Sequence, residues 1–283
     1  MKPGRFLVTG GRGYIGTRLV KRLLQEGHHV DLLPRSGVEG SPLQGLGLAS
    51  DYDGIYHLAA ATPSEDLKSQ LQSNVELGAH LAEWASEHKI PLIAAASYWQ
   101  YAQGTQWSFP QAQPNSLYAA TKAAFTLLLD YYARDKGLQA LSLVLFDVYG
   151  EDDSRPKLLS ALPKLLRAGE PLNLTKGEQE ILAVHVEDVV EGFVQAPRHL
   201  EPGQHRVFAL GDWDQRRTLR QLVEQAQQLQ QQQAAAPLCE LKWGARPYPQ
   251  GQVMKLPQVP PLPGWQQEIS WDQGLGRMFN YEG

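Results

Sequence analysis

A glycine-rich segment near the amino terminus, set between a short apolar run and an amphipathic stretch, constrains the fold most. Phe6, Leu7 and Val8 predict a buried strand, and Tyr14–Gln25 carries its apolar residues at helical spacing until Gly27 ends the helix. The same alternation continues beyond this point, and strands separated by single helices imply parallel βαβ units in an α/β fold. Further strands are predicted over 29–33, 54–59, 91–95 and 140–148, and further helices over 67–87 and 117–134.

The glycine segment itself fits a phosphate-binding turn. Gly10, Gly13 and Gly16 match G-x-x-G-x-x-G, and Gly11 with the last two matches G-x-G-x-x-G, directly after a strand and before a helix. Glycine permits backbone N–H groups to approach a pyrophosphate, and the helix N-terminus adds partial positive charge. The alternative is a plain glycine turn. We predict a Rossmann-type, doubly wound parallel sheet, with a dinucleotide held by Gly10, Arg12, Gly13, Tyr14, Ile15 and Gly16.

The chain changes character after Gly150, where proline, glutamine and tryptophan become frequent. Helices predicted over 158–167 and 219–229 separate irregular stretches there. We therefore predict a dinucleotide-binding domain of residues 1–150 with about 181–196, and a smaller C-terminal substrate-binding lobe of about 151–180 and 197–283.

Charge and cysteine content exclude several classes of protein. Lys and Arg number 26 and Asp and Glu 30, so the net charge is 26 − 30 = −4, and no basic surplus indicates a nucleic-acid partner. The single cysteine cannot form an internal disulfide, and the histidines lack metal-ligand spacing, so no metal site is predicted. No apolar run reaches the ~20 residues of a membrane helix, and no signal-peptide pattern precedes the first strand. We expect a cytoplasmic protein without a membrane partner.

The end of the second predicted strand bears on which dinucleotide binds. An acidic residue there accepts the ribose hydroxyls of NAD, but this position is Pro34, followed by Arg35 and Ser36. Arg35 is placed to hold a 2′-phosphate, with Arg12 as a second cation, so NADP(H) is favoured over NAD(H). Asp31 lies too early in the strand unless the register is shifted. The alternative reading of Arg35 is a solvated loop residue.

Tyr118 and Lys122 are four residues apart at the start of a predicted helix, so both side chains lie on one face. An unperturbed tyrosine titrates near ~10, and a neighbouring ammonium stabilises its anion for proton transfer. Lys122 is also suited to hold nicotinamide ribose hydroxyls. Ser97 ends a predicted strand, where open α/β sheets bind their ligands, and would hydrogen-bond a carbonyl beside the tyrosine. The alternative role for Ser97 is to cap a turn.

These residues together resemble the extended short-chain dehydrogenase/reductase family, also called the NAD-dependent epimerase/dehydratase family. The resemblance implies a nucleotide-activated sugar as substrate, Asp147 and Arg246 beside Ser97 as substrate contacts, and a homodimer formed through the helices of 67–87 and 117–134. It also implies cofactor contacts from Leu58, Ala59, Ala60, Phe146 and Val148, besides Tyr118 and Lys122. The matching segments are TGGRGYIG (9–16), DGIYHLAA (53–60), Asn74, the three residues Ser97, Tyr118 and Lys122, FDVYG (146–150), AVHVEDV (183–189), LPGW (262–265) and Gly274-Leu275.

Within the family, SYWQY (97–101), LYAATKAAF (117–125) and DVYGEDDSRPKL (147–158) resemble the CDP-abequose and CDP-paratose synthase branch. That branch implies NADPH-dependent reduction of a 4-keto-6-deoxy sugar. Three features depart from the family pattern. The segment 36–53 is short, with Ser50-Asp51 in place of the adenine-contacting G-D; Asp147 replaces an asparagine; and 246–254 lacks a second arginine and a glutamate.

The leading hypothesis is therefore a ketoreductase. Tyr98 and Trp99 follow Ser97 where a dehydratase commonly has Asp-Glu, so dehydration is disfavoured. The second hypothesis is an epimerase with tightly bound NAD, and the third is a dinucleotide-binding sensor without turnover.

Overall fold

A computed structural model of the chain describes residues 3–33, 48–101, 113–233 and 238–280. These residues form two compact units. Unit 1 comprises Met1–Leu145, Val190–Leu210 and Pro257–Trp265, and unit 2 comprises Phe146–Val189, Gly211–Leu256 and Gln266–Gly283.

These boundaries differ from those expected from the sequence. Residues 181–189 belong to unit 2, whereas 197–210 and 257–265 belong to unit 1. Strand pairing places the last two segments in unit 1. His205–Leu210 pairs in parallel with Ala140–Leu145, and Ala209 forms a β-bridge with Pro261. No local pattern in residues 205–210 indicates a partner more than sixty positions earlier.

Unit 1 is built around a parallel sheet that, among the described residues, has six strands in the order β10-β5-β4-β3-β1-β2. The predicted α/β class with a parallel, Rossmann-like sheet is confirmed. β2 and β3 lie on opposite sides of β1, so the strand order reverses there, which is where such sheets bind ligands. The elements are β1 (Arg5–Thr9), α1 (Tyr14–Gln25), β2 (His29–Leu32), β3 (Gly54–His57), α2 (Leu67–Leu71), α3 (Leu77–His88), β4 (Leu92–Ser97), α4 (Leu117–Lys136), β5 (Ala140–Leu145) and β10 (His205–Leu210).

The strands at the centre of the unit 1 sheet are apolar because they are buried in the core. Every residue of β3 is buried, as are most residues of β4 and β5, which is expected for parallel strands covered on both faces. Leu81 of α3 and Leu129 of α4 pack with Leu7 and Leu92 in one cluster. The ends of α4 are set by Ser116, whose hydroxyl caps the Ala119 N–H, and by Gly137 in the left-handed conformation.

The helix predicted over 67–87 is interrupted in the structure. A π-helical turn, Gln72–Glu76, separates α2 from α3. Asn74 lies in this turn and is buried, and its side chain bonds to groups on two other elements. The extra residue in the turn rotates that side chain inward, which a regular 3.6-residue pattern does not predict.

The described residues of unit 2 form helices and three short strand pairs. Its core contains Tyr149, Leu162, Leu222, Trp271 and Leu275, with Tyr149 and Trp271 in edge-to-face contact. The strand predicted over 140–148 therefore divides, because β5 ends in unit 1 and the next strand pairs within unit 2. The elements are β6 (Asp147–Tyr149), α5 (Leu158–Ala168), β7 (Leu172–Asn173), β8 (Glu180–Ile181), β9 (Ala183–His185), α6 (Val186–Gln195, which continues into unit 1), β11 (Arg217–Thr218), α7 (Leu219–Gln233), β12 (Leu241–Lys242) and α8 (Trp271–Asn280).

The described ranges contain neither a membrane-spanning helix nor a cluster of metal-ligating side chains. None of their helices is both long enough and apolar enough to cross a membrane. In the same ranges no three His, Cys, Asp or Glu side chains are grouped so that they could hold a metal ion.

Candidate active site

The predicted phosphate-binding turn joins β1 to α1 in a conformation that requires glycine at two positions. Gly10 has φ +69°, and a Cβ there would lie 2.6 Å from the backbone nitrogen of Ala59. A Cβ on Gly16 would overlap the Gly10 carbonyl oxygen. The turn therefore packs directly on the segment after β3 and on the first turn of α1, and no larger residue fits.

The N-terminus of α1 follows this turn directly. Gly13, which has no side chain, is the N-cap, and no acidic residue lies in the first turn of the helix. The first N–H groups, together with the helix dipole, make a ready site for a phosphate group. Tyr14 and Ile15 begin the helix, and Arg12 is exposed in the turn. This cradle of glycines at a helix N-terminus fits the pyrophosphate of a dinucleotide.

The segment after β3 is anchored beside the turn. The Thr9 hydroxyl lies 2.7 Å from Nδ1 of His57 and accepts the Ala59 N–H at 3.2 Å, while the Leu58 N–H donates to the Thr9 carbonyl. Ala60 is exposed. Burial, with Lys122 nearby, lowers the pKa of His57 to about 3, so this imidazole is neutral at physiological pH.

Of the residues that bear on the choice of cofactor, the structure describes only some. Pro34, Arg35 and Ser36 lie outside the described residues. Asp31 lies within β2 and is engaged by two neighbours: Arg5 Nε donates to its carboxylate at 3.0 Å and the Tyr52 hydroxyl at 2.8 Å. These contacts hold the pKa of Asp31 below its usual range.

Ser97 and Tyr118 both contact Trp99. Ser97 is the last residue of β4, and its Oγ accepts the Trp99 N–H at 3.3 Å. The Trp99 ring meets the Tyr118 ring edge-to-face, with 6.0 Å between centroids. Ser97 and Tyr118 are both half-buried, and Ser97 lies at the carboxyl end of its strand.

Lys122 lies one turn after Tyr118 and is 4% exposed. Its Nζ donates to the Ala95 carbonyl oxygen at 2.6 Å, which joins α4 to the end of β4. Burial lowers the pKa of Lys122 to about 8. The ammonium is therefore charged at neutral pH.

The helix that carries these residues is fixed by the π-helical turn. Asn74 accepts the Ala61 N–H at 2.9 Å and donates through Nδ2 to the Thr121 hydroxyl at 3.0 Å. Thr121 in turn donates to the Tyr118 carbonyl oxygen at 2.9 Å. One side chain thus links the segment after β3 to the backbone of Tyr118.

Comparison with known proteins shows which family the chain resembles. Residues 6–211 match the family model described as the NAD dependent epimerase/dehydratase family.

The chain belongs to the NAD dependent epimerase/dehydratase family. It is thus an NAD(P)-dependent enzyme of the extended short-chain dehydrogenase/reductase type, as the sequence motifs predict. The family match ends near the end of β10, so the last part of the chain lies beyond it.

The similar proteins include members of the family with different enzyme names, a synthase and an epimerase. CDP-abequose synthase of Yersinia pseudotuberculosis is 24% identical over 207 residues, which are 67% of this chain and 72% of that protein. UDP-glucose 4-epimerase of Corynebacterium glutamicum is 24% identical over 264 residues, 80% of each chain. The solved structure of RMD from Pseudomonas aeruginosa, complexed with NADPH, has a TM-score of 0.77 at 21% identity and covers 98% of this chain and 97% of that one. The last comparison supports the fold.

The family motifs in unit 2 are held by that unit's own contacts. Phe146 is buried edge-to-face against Trp213, with 5.4 Å between centroids, and Val148 is buried in β6. The Asp147 N–H donates to the Leu182 carbonyl at 3.1 Å. Arg246 is exposed after β12, and its N–H donates to the Leu174 carbonyl. Their predicted roles stay predictions.

Sequence reasoning missed one pair of residues beside the family's catalytic motif. Gln100 and Thr126 hydrogen-bond to each other at 2.8 Å and connect the 3-10 turn after β4, Tyr98–Tyr101, to α4. The only signal in the sequence is a glutamine among the aromatic residues of Tyr98–Tyr101, and a polar residue there does not reveal its partner.

Proposed function

We propose that the protein uses NADPH to reduce a nucleotide-activated 4-keto-6-deoxy sugar. The observation that carries this proposal is the arrangement of Ser97, Tyr118 and Lys122 in one unit with the glycine cradle. A carbonyl at the sheet edge would meet a hydroxyl donor and a phenol, with an ammonium one helical turn behind the phenol.

Each residue has one task in the reduction. NADPH, when bound, supplies the hydride that reduces the carbonyl carbon. Tyr118 transfers its phenolic proton to the forming alkoxide, so that the product is an alcohol, and the positive charge of Lys122 stabilises the phenolate that remains. Ser97 receives a hydrogen bond from the Trp99 N–H, which leaves its own proton to orient the carbonyl oxygen.

NADP(H) is the proposed cofactor, with NAD(H) as the alternative. The Gly10, Gly13 and Gly16 cradle is proposed to hold the pyrophosphate, and Arg12 with Arg35 and Ser36 the 2′-phosphate. Asp31 is already engaged by Arg5 and Tyr52, which argues against a role as ribose acceptor. The RMD structure contains NADPH, while the family is described as NAD dependent. The remaining proposed contacts are Tyr14, Ile15, Leu58, Ala59, Ala60, Phe146 and Val148.

A nucleotide sugar is the proposed substrate because the named relatives act on this class, CDP-abequose synthase among them. We assign Ser97, Asp147 and Arg246 to its binding. The carboxylate of Asp147 would repel a diphosphate, since both groups are negatively charged. We therefore expect Asp147 to bind the sugar, by accepting hydrogen bonds from its hydroxyl groups.

We also propose a homodimer through α4 and its neighbour α3. Leu127 and Tyr131 lie four residues apart on α4 and are 40% and 43% exposed. A second copy of the chain would cover this apolar pair. Light scattering is expected to show a dimer, and Leu127→Glu to give a monomer; a wild-type monomer at assay concentration overturns this assignment.

The test of function is NADPH consumption with CDP-4-keto-6-deoxyglucose. Parallel reactions replace NADPH with NADH, or the substrate with its dTDP analogue, and a further control omits the keto-sugar. Loss of NADPH absorbance that requires the keto-sugar supports the reductase, and the faster reactions identify the cofactor and the nucleotide. No consumption in any reaction overturns the proposal.

An epimerase is the second candidate because a UDP-glucose 4-epimerase matches a larger share of the chain than CDP-abequose synthase does. It would retain NAD through purification and interconvert two nucleotide sugars without net consumption of cofactor. Denaturing the purified protein and measuring the released NAD distinguishes this candidate. Released cofactor without any interconversion would instead support the third candidate, a dinucleotide-binding sensor.

A further inference from the structure

Gln100 is a buried amide in unit 1 that hydrogen-bonds to the backbone of Ser97, one of the proposed catalytic residues. It lies in the 3-10 turn Tyr98–Tyr101 that follows β4, and it is 0% exposed. Its Oε1 accepts the Ser97 N–H at 2.9 Å, and its Nε2 donates to the Thr126 hydroxyl at 2.8 Å. Both ends of the side-chain amide therefore have a partner where water does not reach.

The chain of hydrogen bonds continues from Thr126 to Lys122. The Thr126 hydroxyl donates to the Lys122 carbonyl oxygen at 3.3 Å, one helical turn back. Because a hydroxyl has one proton, this bond leaves Thr126 as the acceptor of the Gln100 N–H. The amide orientation of Gln100 is thereby fixed, and three hydrogen bonds connect the backbone of Ser97 with the backbone of Lys122.

A second bond joins the same two elements, but it uses a reacting group. Lys122 Nζ donates to the Ala95 carbonyl oxygen. The proposed function gives that ammonium other partners, the phenolate of Tyr118 and the cofactor ribose. The bond from Gln100 involves no side chain assigned to the reaction, so it can keep β4 and α4 at one spacing while Lys122 changes partners.

We propose that Gln100 is a positioning residue that fixes the backbone of Ser97 relative to the helix carrying Tyr118 and Lys122. This inference rests on the proposed function. Without the amide, the Ser97 N–H and the Thr126 hydroxyl lose their buried partner and the end of β4 is free to shift. A shift there affects the alignment of the reacting groups, whereas the glycine cradle lies after a different strand, β1.

Three variants test this role. Gln100→Met keeps the length of the side chain without the amide, Thr126→Val removes the hydroxyl at nearly constant shape, and Thr126→Ser keeps the hydroxyl as the matched control. We expect the first two to lower kcat about tenfold or more, since small misplacements of reacting groups have large effects on rate. KM for the keto-sugar and Kd for NADPH should stay within about twofold, and Thr126→Ser should retain nearly full kcat.

The double variant adds a further requirement. Gln100→Met combined with Thr126→Val should lose little more than either single variant, because both break one network. Should Gln100→Met not fold, Thr126→Val against Thr126→Ser still decides the comparison. A folded variant with unchanged kcat, or one that changes only KM or thermal stability, overturns the positioning role.

Amide hydrogen exchange gives a readout that does not depend on turnover. The Ser97 amide should exchange faster in Gln100→Met than in the wild type, while the amide of Leu92 at the start of β4 should not change. Unchanged exchange at Ser97 overturns the inference. A wild type that reduces no keto-sugar refutes the proposed function instead, and the exchange result then decides alone whether Gln100 holds the backbone of Ser97.

Discussion

The described part of unit 1 contains two hydrogen-bond networks centred on a serine, and they differ both in residue type and in burial. Ser97 ends β4 beside Trp99 and Tyr118. Ser142 lies in the middle of β5, and its hydroxyl is 2.8 Å from Nε2 of His205, whose Nδ1 is 2.5 Å from Asp130. By residue type alone, the second network is the better match to a hydrolytic triad.

Burial reverses that ranking. Ser142 is 1% exposed, whereas Ser97 is half-buried at the carboxyl edge of the sheet. A nucleophile needs a place for the reacting atom about 3 Å away, and a serine enclosed between paired strands has none. The second network therefore joins β5, β10 and α4 and stabilises the fold, whereas the hydroxyl of Ser97 lies where a substrate would bind.

The largest expected effect is that of Tyr118→Phe. Removing the phenolic proton should lower kcat by about a thousandfold, within the range for a general acid, without weakening NADPH binding. Turnover is measured by NADPH absorbance and binding by cofactor fluorescence. His205→Gln is the counterpart in the other network and should retain kcat; equal losses in both variants would remove the distinction between the networks.

Ser97→Ala should lower kcat by about a hundredfold, the usual effect of losing one donor to a reacting carbonyl oxygen. Its free energy of unfolding should change little, because Ser97 is not enclosed. Denaturant titration beside the kinetic assay checks both quantities. Full activity in this variant would place the carbonyl elsewhere.

Lys122→Met should reveal how burial of the Lys122 ammonium makes the free energy of unfolding depend on pH. The pKa of Lys122 is lowered to about 8 in the folded protein, so between about pH 8 and 10.5 the unfolded chain binds the proton and the folded chain does not. The stability of wild type relative to Lys122→Met should therefore rise over this range, by on the order of 3 kcal/mol. Chemical denaturation at several pH values measures it.

The matched control is Lys21→Met on the exposed side of α1. If Lys21→Met showed the same pH dependence as Lys122→Met, the effect would not come from the burial of Lys122. A flat difference for Lys122→Met would show that the burial of Lys122 does not lower its pKa.

Ser142→Ala has the smallest expected effect on activity and a measurable effect on stability. The variant leaves His205 without its buried partner, which should lower the free energy of unfolding by about 1–2 kcal/mol. Its kcat should equal that of wild type. A loss of kcat without a loss of stability would give the second network a part in the reaction.

The local elements of unit 1 could be predicted from the sequence because their determinants are close neighbours along the chain. The glycine turn is set by backbone conformation at Gly10 and contact at Gly16, and the shared face of Tyr118 and Lys122 follows from helical spacing. The start and end of α4 were predicted to within two residues at each end for the same reason.

The chain by itself thus determined the α/β alternation, the cradle and the pair of residues on α4. Only the tertiary structure decided the return of β10 to β5, the π-helical turn that directs Asn74 to Thr121, and the bond between Gln100 and Thr126. It also decided which serine is enclosed. The physical reason is that burial and hydrogen-bond partners depend on residues distant in sequence, such as Ser142 and His205, whose approach no local pattern encodes.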